Sequence, residues 1–169
     1  MVPISRSWLW SLHDWVTGWY WKLPKEKSTY TVERHHIPLA DGVKTIADLY
    51  QPVGLKPSNT VLMRTPYGIE GLIATRNARI FASRGYQVLM ASCRGTSGSE
   101  GNFYPFRDEA ADGHAVIAWM RDQPWYTGSF ATSGLSYLGF TQWAILSNPP
   151  PDMRAAIIWS GPHELGDCE

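Results

Sequence analysis

The chain has 169 residues, of which 44% are hydrophobic and 18% are charged. This length and composition are typical of one globular domain with its own core, and they exclude a disordered or fibrous protein. Fifteen basic side chains balance fifteen acidic ones, so the net charge does not favour nucleic acid or an anionic membrane as a partner. The two cysteines, Cys93 and Cys168, form neither a disulfide framework nor a CxxC metal pair. We therefore expect two free thiols in a reducing, cytoplasmic compartment.

The first predicted element is an amphipathic helix that ends before Pro24. Its apolar residues recur at helical spacing: Trp8, Leu12, Trp15, Val16, Trp19 and Leu23. Such a helix either packs on the body of the protein or lies in a membrane interface. We favour packing, because the polar face carries few Lys or Arg residues and interfacial helices are usually basic. The segment lacks the continuous apolar region and cleavage site of a signal peptide, so we do not expect secretion, and no segment has the ~20 apolar residues of a membrane span.

The rest of the chain predicts an α/β domain. Two strands, 30–37 and 43–50, flank an Ala-Asp-Gly turn at residues 40–42. Strands and helices then alternate, in the order strand 60–64, helix 72–84, strand 86–91, helix 108–121, strand 129–133, helix 137–146 and strand 153–159. This alternation indicates a mostly parallel sheet with flanking helices. We divide the chain into residues 1–28, the helix and a linker, and residues 29–169, the α/β domain.

The strongest chemical motif is the segment from Ser133 to Gly139, at the junction of a predicted strand and a predicted helix. Gly134 and Ser136 fit the G-x-S-x-G nucleophile elbow, whereas the final glycine falls one place late, at Gly139. In an elbow the serine hydroxyl projects above the sheet, and the N–H groups of the helix N-terminus point at the oxyanion. The alternative is a Gly/Ser turn that opens a helix without catalytic use.

Several motifs in order resemble one family, the cocaine esterase and X-Pro dipeptidyl-peptidase group of α/β-hydrolases. They are the hairpin at 40–43 and 47–52, Arg64-Thr65-Pro66-Tyr67, the loop 93–101, Asp108-Glu109-x-x-Asp112, Gln123-Pro124-Trp125 and Gly134-x-Ser136-Tyr137-x-Gly139. The resemblance covers residues 30 to 165. It implies that the chain is the N-terminal half of an α/β-hydrolase fold.

The same resemblance implies roles for three residues. Ser136 is the nucleophile that forms an acyl-enzyme from a small-molecule ester or amide, and the backbone N–H of Tyr137 and the phenol of Tyr67 form the oxyanion hole. The alternative for Tyr67 is an aromatic side chain in a turn after proline. The family takes its triad acid and histidine from later strands beyond a helical cap, and it adds a C-terminal β-sandwich domain. We therefore expect residues 29–169 to be a partial α/β-hydrolase domain from which the triad acid and histidine, the cap, the later strands and the C-terminal domain are absent.

The sequence offers few candidates for the triad partners of Ser136. After Ser136 the chain offers one histidine, His163, which follows a strand and is a weak candidate base, and four acids: Asp152, Glu164, Asp167 and Glu169. Without a base the hydroxyl of Ser136 is weakly nucleophilic. The alternative function is therefore an inactive fragment or pseudoenzyme of the family, and the oligomeric state stays open.

Other candidate residues predict structure rather than chemistry. His35 and His36 are adjacent in a strand, so they point to opposite faces and cannot share a metal. We expect His114 to be solvated, Arg94 to brace its loop through backbone carbonyls, and Cys93 to be a buried spectator thiol. The sequence predicts neither a metal site nor a cofactor.

Overall fold

The computed structural model describes residues 3–72 and 74–163. Its elements in chain order are β1 (Ile4–Ser5), α1 (Trp8–Tyr20), β2 (Tyr30–Pro38), β3 (Lys44–Pro52), β4 (Thr60–Thr65), α2 (Arg76–Ala82), β5 (Gln87–Ser92), α3 (Glu109–Arg121), β6 (Phe130–Leu135), α4 (Tyr137–Leu146) and β7 (Met153–Trp159). In these residues no helix is long and apolar enough to cross a membrane.

The strands form one mixed sheet in the order β1-β2-β3-β5-β4-β6-β7. The strands that alternate with helices, β4 to β7, run parallel to one another, and the β2–β3 hairpin joins them antiparallel through β5. Helices α3 and α4 cover one face around Leu89 and Phe130, and α1 and α2 contact the other around Tyr50 and Val88. The predicted α/β class with flanking helices is confirmed.

Two helices are shorter than predicted. Helix α2 begins at Arg76, because Gly71 takes a left-handed φ of 85° and the Thr75 hydroxyl donates to the Gly71 carbonyl, which forms a turn before the helix. Helix α1 ends at Tyr20, because Lys22 has a φ of 52° and the Leu23 N–H donates to the Gly18 carbonyl. The two-residue strand β1 was not predicted from the sequence.

Helix α1 lies on the body, but in the opposite orientation to the one its hydropathy predicts. Asp14, on the polar side, is completely buried. Trp8 and Trp19, on the apolar side, are each 73% exposed. The helix therefore contacts the body through its polar face, because Asp14 belongs to a buried charge network, and its tryptophan face points to solvent.

Candidate active site

The segment between β6 and α4 forms the predicted sharp turn. Ser136, between Leu135 and Tyr137, has φ 61° and ψ −122°, a strained backbone conformation for a residue with a side chain. Its side chain is exposed at the carboxyl end of β6. Strand, strained serine and helix together have the geometry of a nucleophile elbow.

Two glycines make this turn sterically feasible. A Cβ at Gly134 would lie 2.2 Å from the Cβ of Leu138, so the strand and the first turn of α4 can approach only if residue 134 is glycine. A Cβ at Gly139 would lie 2.6 Å from the Cα of Gly161, just beyond β7. The late glycine of the motif is thus required by the contact between α4 and the segment after β7.

The Tyr67 hydroxyl lies 3.2 Å from the Oγ of Ser136, within hydrogen-bonding distance. Tyr67 belongs to the loop after β4, and its backbone N–H donates to the Thr65 hydroxyl at 3.1 Å. Its ring meets the Tyr137 ring edge-on at 6.5 Å between centroids, and 64% of the side chain is exposed. The structure therefore brings together two of the residues singled out in the sequence, 69 positions apart.

The Tyr137 side chain is buried beneath the elbow. Its hydroxyl donates to Glu109 Oε1 at 2.9 Å and accepts from the backbone N–H of Phe106 at the same distance. Burial, followed by the nearby Glu109 carboxylate, raises the pKa of this phenol, so it remains a hydrogen-bond donor. The first residue of α4 is thereby fixed to α3 and to the loop before it.

Glu109 is also held from its other side. Arg64, at the end of β4, donates to Glu109 Oε2 at 2.7 Å and to the Glu109 carbonyl at 2.6 Å, and both side chains are buried. The network Arg64–Glu109–Tyr137 therefore links the strand that carries the Tyr67 loop to the start of α4. This link was not predicted from the sequence, although Arg64 and Glu109 both belong to the motifs that resemble the family.

Arg94 braces its loop as predicted, but through carboxylates rather than backbone carbonyls. Its guanidinium donates to both oxygens of Asp112, at 2.8 and 2.6 Å, and to Asp41 in the hairpin turn at 2.7 Å. Two carboxylates satisfy a guanidinium more strongly than neutral carbonyls do. All three guanidinium nitrogens of Arg94 donate to these two carboxylates. This favours a structural role for Arg94 over a role in binding substrate.

The candidate triad partners do not meet at the serine. The His163 ring packs against Trp143 of α4 at 6.1 Å between centroids, and among residues 3–72 and 74–163 no histidine is hydrogen-bonded to Ser136. Asp152 precedes β7, whereas Ser136 follows the parallel strand β6, so they lie at opposite ends of the sheet. The remaining acids lie outside the described residues: Glu164, Asp167 and Glu169.

The other titratable candidates lie away from the elbow. His35 is half-buried and contacts Trp119 at 5.4 Å between centroids, and its neighbour His36 is exposed. His114 on α3 is only half-exposed, and burial raises the pKa of the buried Cys93 thiol. No cluster of three potential metal ligands occurs in the part of the chain that the structure describes. Cys168 lies outside it.

An exposed serine on a strained strand–helix turn, with a phenol against its Oγ, is an arrangement suited to acyl transfer. Residues 41–167, more than half of the chain, match the family model of the X-Pro dipeptidyl-peptidases (S15 family). The chain belongs to this family. Its sequence is 34% identical, over 137 residues, to the cocaine esterase of Rhodococcus sp. (strain MB1 Bresler), a match that covers 75% of this chain and 24% of that protein.

Solved structures of α/β-hydrolases have the same fold. An α-amino acid ester hydrolase superposes with a TM-score of 0.68 at 26% identity, over 82% of this chain and 27% of that one. A CocE/NonD family hydrolase from Staphylococcus aureus gives a TM-score of 0.68 at 25% identity, over 79% and 28% of the two chains. The chain thus spans about a quarter of the length of these S15-like relatives.

Proposed function

We propose that this chain carries the nucleophile and the oxyanion hole of a serine esterase or peptidase-type hydrolase. The observation that carries the proposal is the 3.2 Å contact between the Tyr67 hydroxyl and the Oγ of Ser136 on a strained elbow. The family match supports the hydrolase class, since the relatives include an esterase and an amino acid ester hydrolase.

In this mechanism the Ser136 Oγ attacks the carbonyl carbon of a carboxylic ester or amide. The oxygen that becomes negative is stabilised by the Tyr67 hydroxyl and by the backbone N–H of Tyr137. As the first residue of α4, Tyr137 has no intrahelical acceptor for that N–H. The leaving alcohol or amine departs with a proton, and water then releases the acyl group from Ser136. In the first step a general base takes the proton of the Ser136 hydroxyl and passes it to the leaving group; in the second it takes a proton from water and returns one to the Ser136 Oγ.

The experiment is labelling of the protein at its native length with a fluorophosphonate probe, followed by peptide mapping. We expect the label on Ser136, and we expect Ser136→Ala to abolish both labelling and ester hydrolysis. Loss of the nucleophile in a comparable enzyme lowers turnover by about 10⁶-fold. Label on another residue, or hydrolysis by the variant above a few per cent of wild type, would contradict the assignment.

We further propose that the 169-residue polypeptide by itself is catalytically inert. Its His163 packs on Trp143 and makes no hydrogen bond to Ser136 in the described residues. Within the same residues β7 is an edge strand whose side chains are largely exposed. An unpaired edge with apolar side chains is a template for association. Rapid labelling of Ser136 in a monomeric 169-residue chain, lost on His163→Ala, would show instead that His163 is the base.

A further inference from the structure

Helix α1 is attached to the body through one buried carboxylate. Asp14 has no exposed surface and accepts hydrogen bonds from Arg79 Nε at 2.9 Å, from the Tyr30 hydroxyl at 3.0 Å and from Arg6 at 3.0 Å. Since a buried carboxylate needs all of these donors, Asp14 must face the body. This determines the rotation of the whole helix about its axis.

The opposite face of α1 is apolar and open to solvent. At about 100° per residue, its exposed large side chains lie roughly 100–240° around the helix from Asp14: Trp8, Leu9, Leu12, Trp15, Val16, Trp19 and Tyr20. The three tryptophans alone are 73%, 64% and 73% exposed. At about 200 Å² per indole side chain they present roughly 400 Å², which matches the largest apolar patch on a typical monomer. Leu9, Leu12, Val16 and Tyr20 enlarge the patch beyond that size, and exposed apolar patches this large mark interaction surfaces.

The charges next to this face are basic. Lys22, Lys25 and Lys27 are exposed directly after the helix, and none has an ion pair within the described ranges. The two acids of residues 3–28 are both in ion pairs, Asp14 with Arg79 and Arg6 and Glu26 with Arg6. The free charge beside the tryptophan face is therefore positive.

We propose that α1 is an interfacial anchor that lays its tryptophan face on a membrane of anionic phospholipid. Trp and Tyr rings concentrate at the headgroup level, where an apolar ring and a polar N–H or O–H are both satisfied. Lysines beside them are attracted by the negative surface potential of the leaflet. A face-to-face pair of chains would lack this complementary charge, because residues 3–28 of each copy bring exposed lysines and no unpaired acid.

The sequence favoured packing over a membrane interface because the polar face of α1 has few lysines and arginines, and the structure explains this scarcity in another way. The polar side of α1 lacks lysines because it contacts the body, and the basic residues stand at the end of the helix instead. The helix moreover precedes Asp41, where the family match begins. The proposed anchor lies outside the elbow, and it does not depend on the catalytic role of Ser136.

The test is flotation of the 169-residue chain with vesicles of phosphatidylcholine alone and of phosphatidylcholine with phosphatidylserine, at physiological salt. The wild type should float with the anionic vesicles and more weakly with the neutral ones. The double substitution Trp15→Ala with Trp19→Ala should weaken binding to anionic vesicles by about tenfold or more. Trp143→Ala, a partly exposed tryptophan on α4, is the matched control and should bind like the wild type.

A second variant separates charge from apolar contact. Replacing Lys22, Lys25 and Lys27 by Gln should reduce binding to anionic vesicles by about tenfold or more and leave neutral vesicles unaffected. Circular dichroism should show the same helix content in all variants, since every altered side chain is exposed. Absence of flotation, or equal flotation of wild type and the tryptophan variant, overturns the proposal. So does a lipid-free dimer that the tryptophan substitutions dissociate and that does not bind vesicles.

Discussion

Asp152, one of the acids that follow Ser136 in the sequence, makes contacts that stabilise the fold. It lies just before β7 and accepts from Arg121 Nε at 2.9 Å and from the Tyr126 hydroxyl, with 18% of its side chain exposed. Arg121 lowers the pKa of Asp152 from 3.8 to about 2, against the opposing effect of burial and with the help of Tyr126. We predict that Asp152→Asn destabilises the fold without affecting the proposed reaction of Ser136.

The magnitude follows from proton linkage. Lowering the pKa of Asp152 from 3.8 to about 2 corresponds to at most about 2.5 kcal/mol of stability, and solvent screening reduces our expectation to about 1 kcal/mol. Because the folded-state pKa is the lower one, the unfolded chain binds more protons below pH 5. The stabilisation is therefore complete at pH 6 and is lost as the pH falls towards 2.

The assay is urea denaturation of wild type and variant, followed by tryptophan fluorescence. We expect a difference in unfolding free energy of about 1 kcal/mol at pH 6 and about half of that at pH 3. Asp122→Asn, an exposed acid at the end of α3, is the control and should change stability by less than about 0.5 kcal/mol. A difference that is the same at both pH values would refute the linkage argument, and loss of Ser136 labelling with intact stability would make Asp152 catalytic.

Three further predictions concern helix α1, the proposed oxyanion hole and the turn at Ser136. Asp14→Ala leaves the fully buried Arg79 without its carboxylate and should lower the free energy of unfolding in urea by about 3–5 kcal/mol; a loss below about 1 kcal/mol would contradict the attachment of α1 through Asp14. Tyr67→Phe at native length should lower kcat for ester hydrolysis by about 10²–10³-fold with little change in KM, whereas a rise in KM alone would make Tyr67 a substrate contact. Gly139→Ala forces a Cβ against Gly161 and should destabilise the fold by about 1–3 kcal/mol with slower probe labelling, and wild-type values of both would refute the close contact.

Local patterns in the sequence were enough to predict the order of strands and helices from residue 30 onward. Apolar runs, helical periodicity and glycine turns depend on neighbouring residues, so they can be recognised without knowing the tertiary contacts. The elbow was recognised for the same reason, since strand, Gly134, Ser136 and helix are contiguous. The family motifs added Tyr67, whose partner lies 69 residues away.

The parts that could not be predicted depend on which distant segments the sheet brings together. The sequence showed that α1 has an apolar face. That this face points to solvent follows from Arg79 and Tyr30, whose donors are hydrogen-bonded to the Asp14 carboxylate on the opposite side of the helix. In the same way, Glu109 became a support of the elbow only because β4 and α4 meet beside α3. Hydropathy determined which residues are apolar. The tertiary structure decided which side of α1 faces the protein. Burying a charge without partners costs more free energy than leaving apolar side chains exposed, so the side that carries Asp14 faces inward.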